Sequence, residues 1–160
     1  MSLFFDSPLP KDQWISTSAA QALPLNVWST VVITIDNIGL LMTMSVTGGA
    51  CIPIKTSPLS TPPQIALPSV QVWASVDGKA AVAANIRNLA IFPPSALPVS
   101  YYPDQSYPSG FALVSGGSLV GVVALPAQYT VSFDLYPTAD GTTWRSILRL
   151  TAEDSPANSP

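Results

Sequence analysis

The sequence predicts an all-β fold built as an antiparallel two-sheet sandwich. Three observations carry that prediction. Apolar residues recur at period two across most of the chain, the spacing of half-buried strands. Pro, Gly, Asp and Asn interrupt the runs at short intervals, as turns between strands require. No segment demands a helix: the Ala-rich stretch 79–84 is only six residues long, and Asn85 and Asn88 follow it closely.

Taken in order, residues 2–16 read as two short strands, Leu3-Phe4-Phe5 and Gln13-Trp14-Ile15, around a proline-bearing loop. Residues 16–22 are a small, polar connector. A strong strand follows, with Val31, Ile33 and Ile35 on one face and Trp28, Thr30, Val32 and Thr34 on the other. Past the turn at 36–39, Leu40, Met42, Met44 and Val46 alternate with Leu41, Thr43 and Ser45, and Gly48-Gly49 closes the next turn. Residues 27–54 are thus a meander of two long strands and one short one. They are apolar enough to be weighed as a membrane span, but the Asp36-Asn37-Ile38-Gly39 break and the β-branched content favour strands, so no span is expected.

Residues 55–67 read as a Pro/Ser/Thr loop. The strand 70–76 places Val70, Val72, Ala74 and Val76 on one side and Trp73 on the other, and 86–92 is the next strand. The segment 93–110, PPSALPVSYYPDQSYPSG, holds five prolines and three tyrosines and reads as an internal linker. Residues 111–114 and 119–125 flank Gly116-Gly117 and are apolar on both faces, as in a covered strand. The clearest hairpin signal is 129–150: Tyr129, Val131, Phe133 and Leu135 alternate with Thr130, Ser132 and Asp134. A turn containing Asp140-Gly141 follows, and then Trp144, Leu148 and Leu150 oppose Arg145 and Arg149. The tail 153–160 is small and polar and is expected to fray. Ten to twelve strands in a single domain, 1–160, make a β-sandwich or jelly roll.

Only 9% of the residues are charged, against about 25% in ordinary soluble proteins, while 48% are apolar. Two readings of such a surface are open. Neighbours in a polymer, shell or fibre cover it, or it is a compact domain with a neutral Ser/Thr-rich exterior. The net charge is −3 and the six basic residues are scattered, which excludes a basic nucleic-acid footprint. Histidine is absent, removing the usual neutral-pH acid/base and the commonest metal ligand. The lone Cys51 has no partner in its own chain and reads as a small hydrophobe. The opening MSLFFDSPLP lacks the basic and long apolar regions of a signal peptide, so an exported form would be a mature segment or part of a longer chain.

Two patches resemble concanavalin A-like domains of the laminin-G-like kind. LPLNVWSTVVITIDNIGLLMTMSVTGG at 23–49 resembles that family's motif of Trp, a Val/Ile strand, an Asp-containing turn and a further strand, and IRNLAIF at 86–92 is similar to its closing strand. The pattern YTVSFDLYP followed by W-x-x-I-L-x-L at 129–150 resembles the same family's opening, preceded by an edge strand within 117–125. The patches cover about half the chain, but in reversed order, with 93–110 joining the family's end to its beginning. Three explanations are open: a circular permutation, one period of a tandem repeat cut in mid-domain, or a strand exchange in which 111–160 completes a neighbouring copy.

Glycosidases of this architecture need two carboxylates about 5–9 Å apart. Glu153 is the sole glutamate and lies in the tail with Asp154; Asp6, Asp12, Asp36, Asp77, Asp104 and Asp140 are isolated, and Asp134 alone lies within a strand. No triad can be built without histidine, and no P-loop, dinucleotide fingerprint or EF-hand occurs. No enzyme activity, cofactor or metal is expected. The expectation is a structural unit of an extracellular, cell-surface or particle-surface assembly whose partners are copies of itself or adjacent repeats. Contacts fall to Val120 and Val122 on the edge strand and to Tyr101, Tyr102 and Tyr107 in the linker. The alternative is a monomeric glycan-binding module using Trp14, Trp73 and Asp104, since sugars stack on aromatic faces beside polar groups.

Overall fold

The computed structural model describes residues 2–6, 14–18, 23–36, 38, 41–47, 52–58, 67–75, 83–93, 105–107, 110–113, 117–139 and 145–151. Side chains are described for 23–36, 38, 43–47, 69–75, 83–93, 110–113, 117–139 and 147–151. Twelve strands and no helix occur among them: β1 (Ser2–Asp6), β2 (Trp14–Ser18), β3 (Ser29–Asp36), β4 (Leu41–Thr47), β5 (Ile52–Pro58), β6 (Leu67–Ala74), β7 (Ala84–Phe92), β8 (Gln105–Tyr107), β9 (Phe111–Ala112), β10 (Ser118–Leu125), β11 (Gln128–Pro137) and β12 (Arg145–Thr151). No helix of the described residues is long and apolar enough to cross a membrane.

The strands form two sheets. One has the order β10-β6-β12-β1-β2; the other runs β5-β4-β3-β11-β7-β8, with β9 also on β7. Their inner faces share a single apolar core, with Val70, Val72, Leu148 and Leu150 from the first sheet and Val31, Ile33, Val131, Phe133 and Leu135 from the second. The molecule is a β-sandwich. Pairing is antiparallel except between β1 and β12, which run parallel.

The period-two pattern of 27–54 folds as expected, into the meander β3-β4-β5. Val31, Ile33, Ile35, Met44 and Val46 are buried on one face. Four expectations need correction. First, 129–150 is not a hairpin: β11 lies in one sheet and β12 in the other. Both edges of β11 are taken, by β3 and by β7, so β12 finds no free edge there. The exit is also tied down, because the Thr138 N–H and hydroxyl both donate to the Ala83 carbonyl, at 2.7 and 2.9 Å. The Asp140-Gly141 turn lies outside the described residues.

Second, the loop assigned to 55–67 begins later, since β5 runs through Pro58. Pro53 and Pro58 are tolerated because β5 is an edge strand, where a missing N–H costs no ladder bond. Third, part of the linker 93–110 is a strand, β8, which pairs with β7 through Leu89↔Tyr107. Fourth, the covered surroundings expected for 119–125 are not found, whereas the edge position expected within 117–125 is. Strand β10 borders the first sheet, with Leu119 and Val122 exposed.

The register of β7 on β11 decides which side chains enter the core. Ser132 pairs with Ala90 but Asp134 with Arg87, so Asn88 and Leu89 together face one residue of β11. Asn88 occupies the left-handed region, at φ 51°. This bulge shifts the phase of β7 by one residue: Ile86 before it and Leu89 and Ile91 after it are all buried. An uninterrupted ladder would turn Leu89 and Ile91 to the outer face.

Asn88→Val forces a β-branched residue into that conformation, whereas Asn88→Gly removes the side chain and keeps the backbone free. Both lose the amide, so their difference isolates the backbone. Urea denaturation is expected to find the valine variant about 1–3 kcal/mol less stable than the glycine one; equal midpoints would refute the bulge.

Candidate functional site

The outer face of the second sheet carries a polar network laid across β3, β11 and β7. Asp134 stands opposite Thr30 on one neighbour and Arg87 on the other. The Thr30 hydroxyl donates to Asp134 Oδ1 at 2.8 Å, and Asn88 Nδ2 donates to Oδ2 at 2.8 Å. Arg87 Nε reaches the same Oδ2 at 3.3 Å. Both β7 residues reach one carboxylate because the bulge puts them side by side on the outer face. Above them the Arg87 guanidinium lies 4.0 Å from the centre of the Trp28 ring, and Tyr136 packs on Trp28 at 5.1 Å with the planes tilted by 45°. Further along the same strands, Thr34 and Thr130 share a hydrogen bond, and Gln128 Nε2 donates to Asp36 Oδ1 at 2.9 Å.

What can this arrangement do chemically? Burial pushes the Asp134 carboxyl up. The hydrogen bonds from Thr30, Asn88 and Arg87 and the Arg87 charge outweigh that, and the group titrates below the ordinary aspartate value. It is therefore ionised at neutral pH, with donors on both oxygens, and unsuited to deliver a proton. Asp36 lies six positions from Thr30 along β3, about 20 Å at 3.3 Å per residue. That is too far for Asp36 and Asp134 to form a glycosidase pair. Among the described residues, no three His, Cys, Asp or Glu side chains come together as a metal site. One face of Trp28 is occupied by Arg87 and Tyr136 packs beside it, so that face is not open to a stacking sugar. The network is a clamp between strands.

The other notable surface is the outer face of the first sheet at its β10 edge. Pairing of β10 with β6 slips between Leu119 and Gly121, so that Leu119 sits opposite Trp73 and Val122 opposite Gln71. The slip brings Leu119 and Val122 onto one face, 50% and 54% exposed, around the half-buried Trp73. The indole N–H of Trp73 donates to Gln71 Oε1 at 2.9 Å. Deeper along the same two rows, Arg149 pairs with Trp73 and Thr151 with Gln71, and both are buried.

The residues singled out from sequence are thus distributed unevenly. Val122 and Trp73 meet on this patch. Val120 does not join them: it packs against the core. Tyr107 belongs to β8, in the other sheet. Tyr101, Tyr102, Asp104 and the Trp14 side chain lie outside the described residues. Leu119 and the Trp28–Arg87–Asp134 clamp were missed by sequence reasoning. The signal for the clamp was present, in a strand aspartate and in the broken phase of Ile86, Leu89 and Ile91. No family model, curated protein or solved structure matches the chain.

Because folding lowers the Asp134 pKa, its contribution is complete above the unfolded value of about 3.8 and is lost as pH falls through the folded value. Asp134→Asn is expected to cost about 1–2 kcal/mol at neutral pH, the lower part of the range for a charged hydrogen bond because Arg87 is 44% exposed. Its melting temperature should also fall less between pH 5 and pH 2 than that of the parent chain, as read by circular dichroism. Parallel pH profiles would show that the carboxylate is not held as described.

Proposed function

We propose that the chain is a non-catalytic building unit of an extracellular or particle-surface assembly, a concanavalin-like jelly roll with its halves permuted. The observation that carries the assembly reading is the β10 border. Eight residues, Ser118–Leu125, contain neither a charge nor a proline, and Leu119 and Val122 face solvent beside Trp73. Large apolar side chains gathered at an open sheet edge are what a soluble monomer normally avoids. A chain with 9% charged residues adds little repulsion to oppose association.

The permutation reading draws support from the way the two halves interleave. Strand β11, from the family-like opening, lies between β3 and β7 of the family-like remainder, and β12 lies beside β6. Both lie beside strands of the family-like remainder, as a permuted domain requires. The parallel β1–β12 pair departs from an all-antiparallel jelly roll.

The carbohydrate-binding alternative fares less well. Of its candidates, Trp73 is the one whose side chain is described, and its indole N–H is already spent on Gln71. Its exposed neighbours on β10 are aliphatic, and the Gln71 side-chain carbonyl beside the ring already accepts the indole N–H, whereas a sugar needs polar donors and acceptors there.

Val122→Lys is expected to shift the chain to smaller species in light scattering while its β-rich circular dichroism is kept. Lys at an exposed edge position blocks strand pairing without disturbing the core. Val120→Lys is not an equivalent probe, because Val120 packs on the core and its replacement should destabilise the fold as well. A Val122→Lys protein with undiminished size would refute the assignment of β10 as the contact.

A further inference from the structure

Resting on the assembly reading above, we infer that the partner of β10 is the β10 strand of a second copy, paired antiparallel across a twofold axis near Val122. Four facts on the molecule lead there.

Strand β10 has β6 on one side and, among the described residues, no strand on the other. Its outward N–H and C=O groups form a row that another strand satisfies in order. The row is uncharged and apolar, Ser-Leu-Val-Gly-Val-Val-Ala-Leu, so its complement must be an uncharged apolar strand. The remaining sheet borders of the chain are poor matches. Strand β5 carries Pro53 and Pro58, β2 has five residues, β8 three and β9 two. Among these borders β10 is the longest, and about an axis at Val122 it overlaps its own copy along most of its length.

The slip at Val120 supplies the side-chain part of the contact. It sets Leu119 and Val122 on the outer face, so two β10 strands meeting antiparallel near Val122 bring the Val122 side chains of the two copies together, with each Leu119 on the same face about 10 Å along its strand. Trp73 and Trp73 of the second copy flank this apolar strip. The two five-stranded sheets become one of ten strands. A twofold contact uses the same patch on both copies and closes after two. The product is a dimer, not a fibre, and any larger assembly must use another surface. A single strand pair with this fringe is smaller than the roughly 800 Å² per partner of a standard interface, so a dissociation constant of about 1–100 µM is expected.

The test uses the full chain with Cys51→Ser as background and single cysteines placed on β10. Oxidised Val122→Cys should give a covalent dimer in high yield, because only a twofold contact brings a residue onto its own symmetry mate. Sedimentation equilibrium of the unmodified chain should fit monomer–dimer, and both Val122→Lys and Leu119→Lys should weaken it at least tenfold with unchanged β-rich circular dichroism. Association into open polymers, or crosslinking of Val122→Cys to Ser16→Cys on β2 of another copy and not to itself, overturns the twofold pairing while leaving an assembly unit. A chain that stays monomeric at several hundred micromolar and gives no crosslink overturns the assembly reading too.

Discussion

The architecture depends on one irregular step, the bulge at Asn88 and Leu89 on β7. Before it and after it, opposite sequence parities point into the core, and the left-handed backbone of Asn88 reconciles them. The same step gathers Arg87 and Asn88 beneath Asp134, which Thr30 holds from the other side. A register set by hydrophobic burial on the inner face is thereby checked by charge-assisted hydrogen bonds on the outer face. Thr30 and Asp134 are 104 residues apart in sequence, so the clamp specifies a long-range pairing that local propensity cannot.

The parts of the fold legible in the sequence were those that period two governs. The faces of β3, β4, β6 and β11 followed directly from alternation, and Asp134 stood out as an aspartate inside a strand. Asp6 and Asp36, expected in turns, also prove to lie in strands, at the ends of β1 and β3. Partner choice was not legible. The pattern of 129–150 shows two strands joined by a turn, but alternation says nothing about which sheet each joins. The free edges decide that, and β11 has none to offer β12. For the candidate contact, Val122 was visible as an apolar residue in an uncharged strand. Leu119, and the placing of Trp73 beside it, came into view only through the slip at Val120, which is a property of the pairing and not of either strand alone.

The two outer faces divide their labour. On the second sheet, the polar groups of β3, β11 and β7 bond to one another, and Trp28 packs against Arg87 and Tyr136. Little binding capacity is left there, since any ligand would have to displace bonds already made. On the first sheet, β12 is buried on both faces while β10 at the border keeps an apolar strip in water. Unspent interaction energy is concentrated at that border, which is why the functional reading points there.

The parallel pair of β1 and β12 has a consequence for synthesis. Strands β1 and β2 form a hairpin, but by hydrogen bonds this hairpin joins its sheet through β12, near the other end of the chain. A ribosome adding about 5–20 residues per second therefore makes Leu3, Phe4 and Phe5 roughly 7–30 seconds before their sheet neighbour β12. During that interval the hairpin has no sheet to join, and its apolar residues are a natural target for holding chaperones. By hydrogen bonds, the first sheet stays divided in two until β12 has been made.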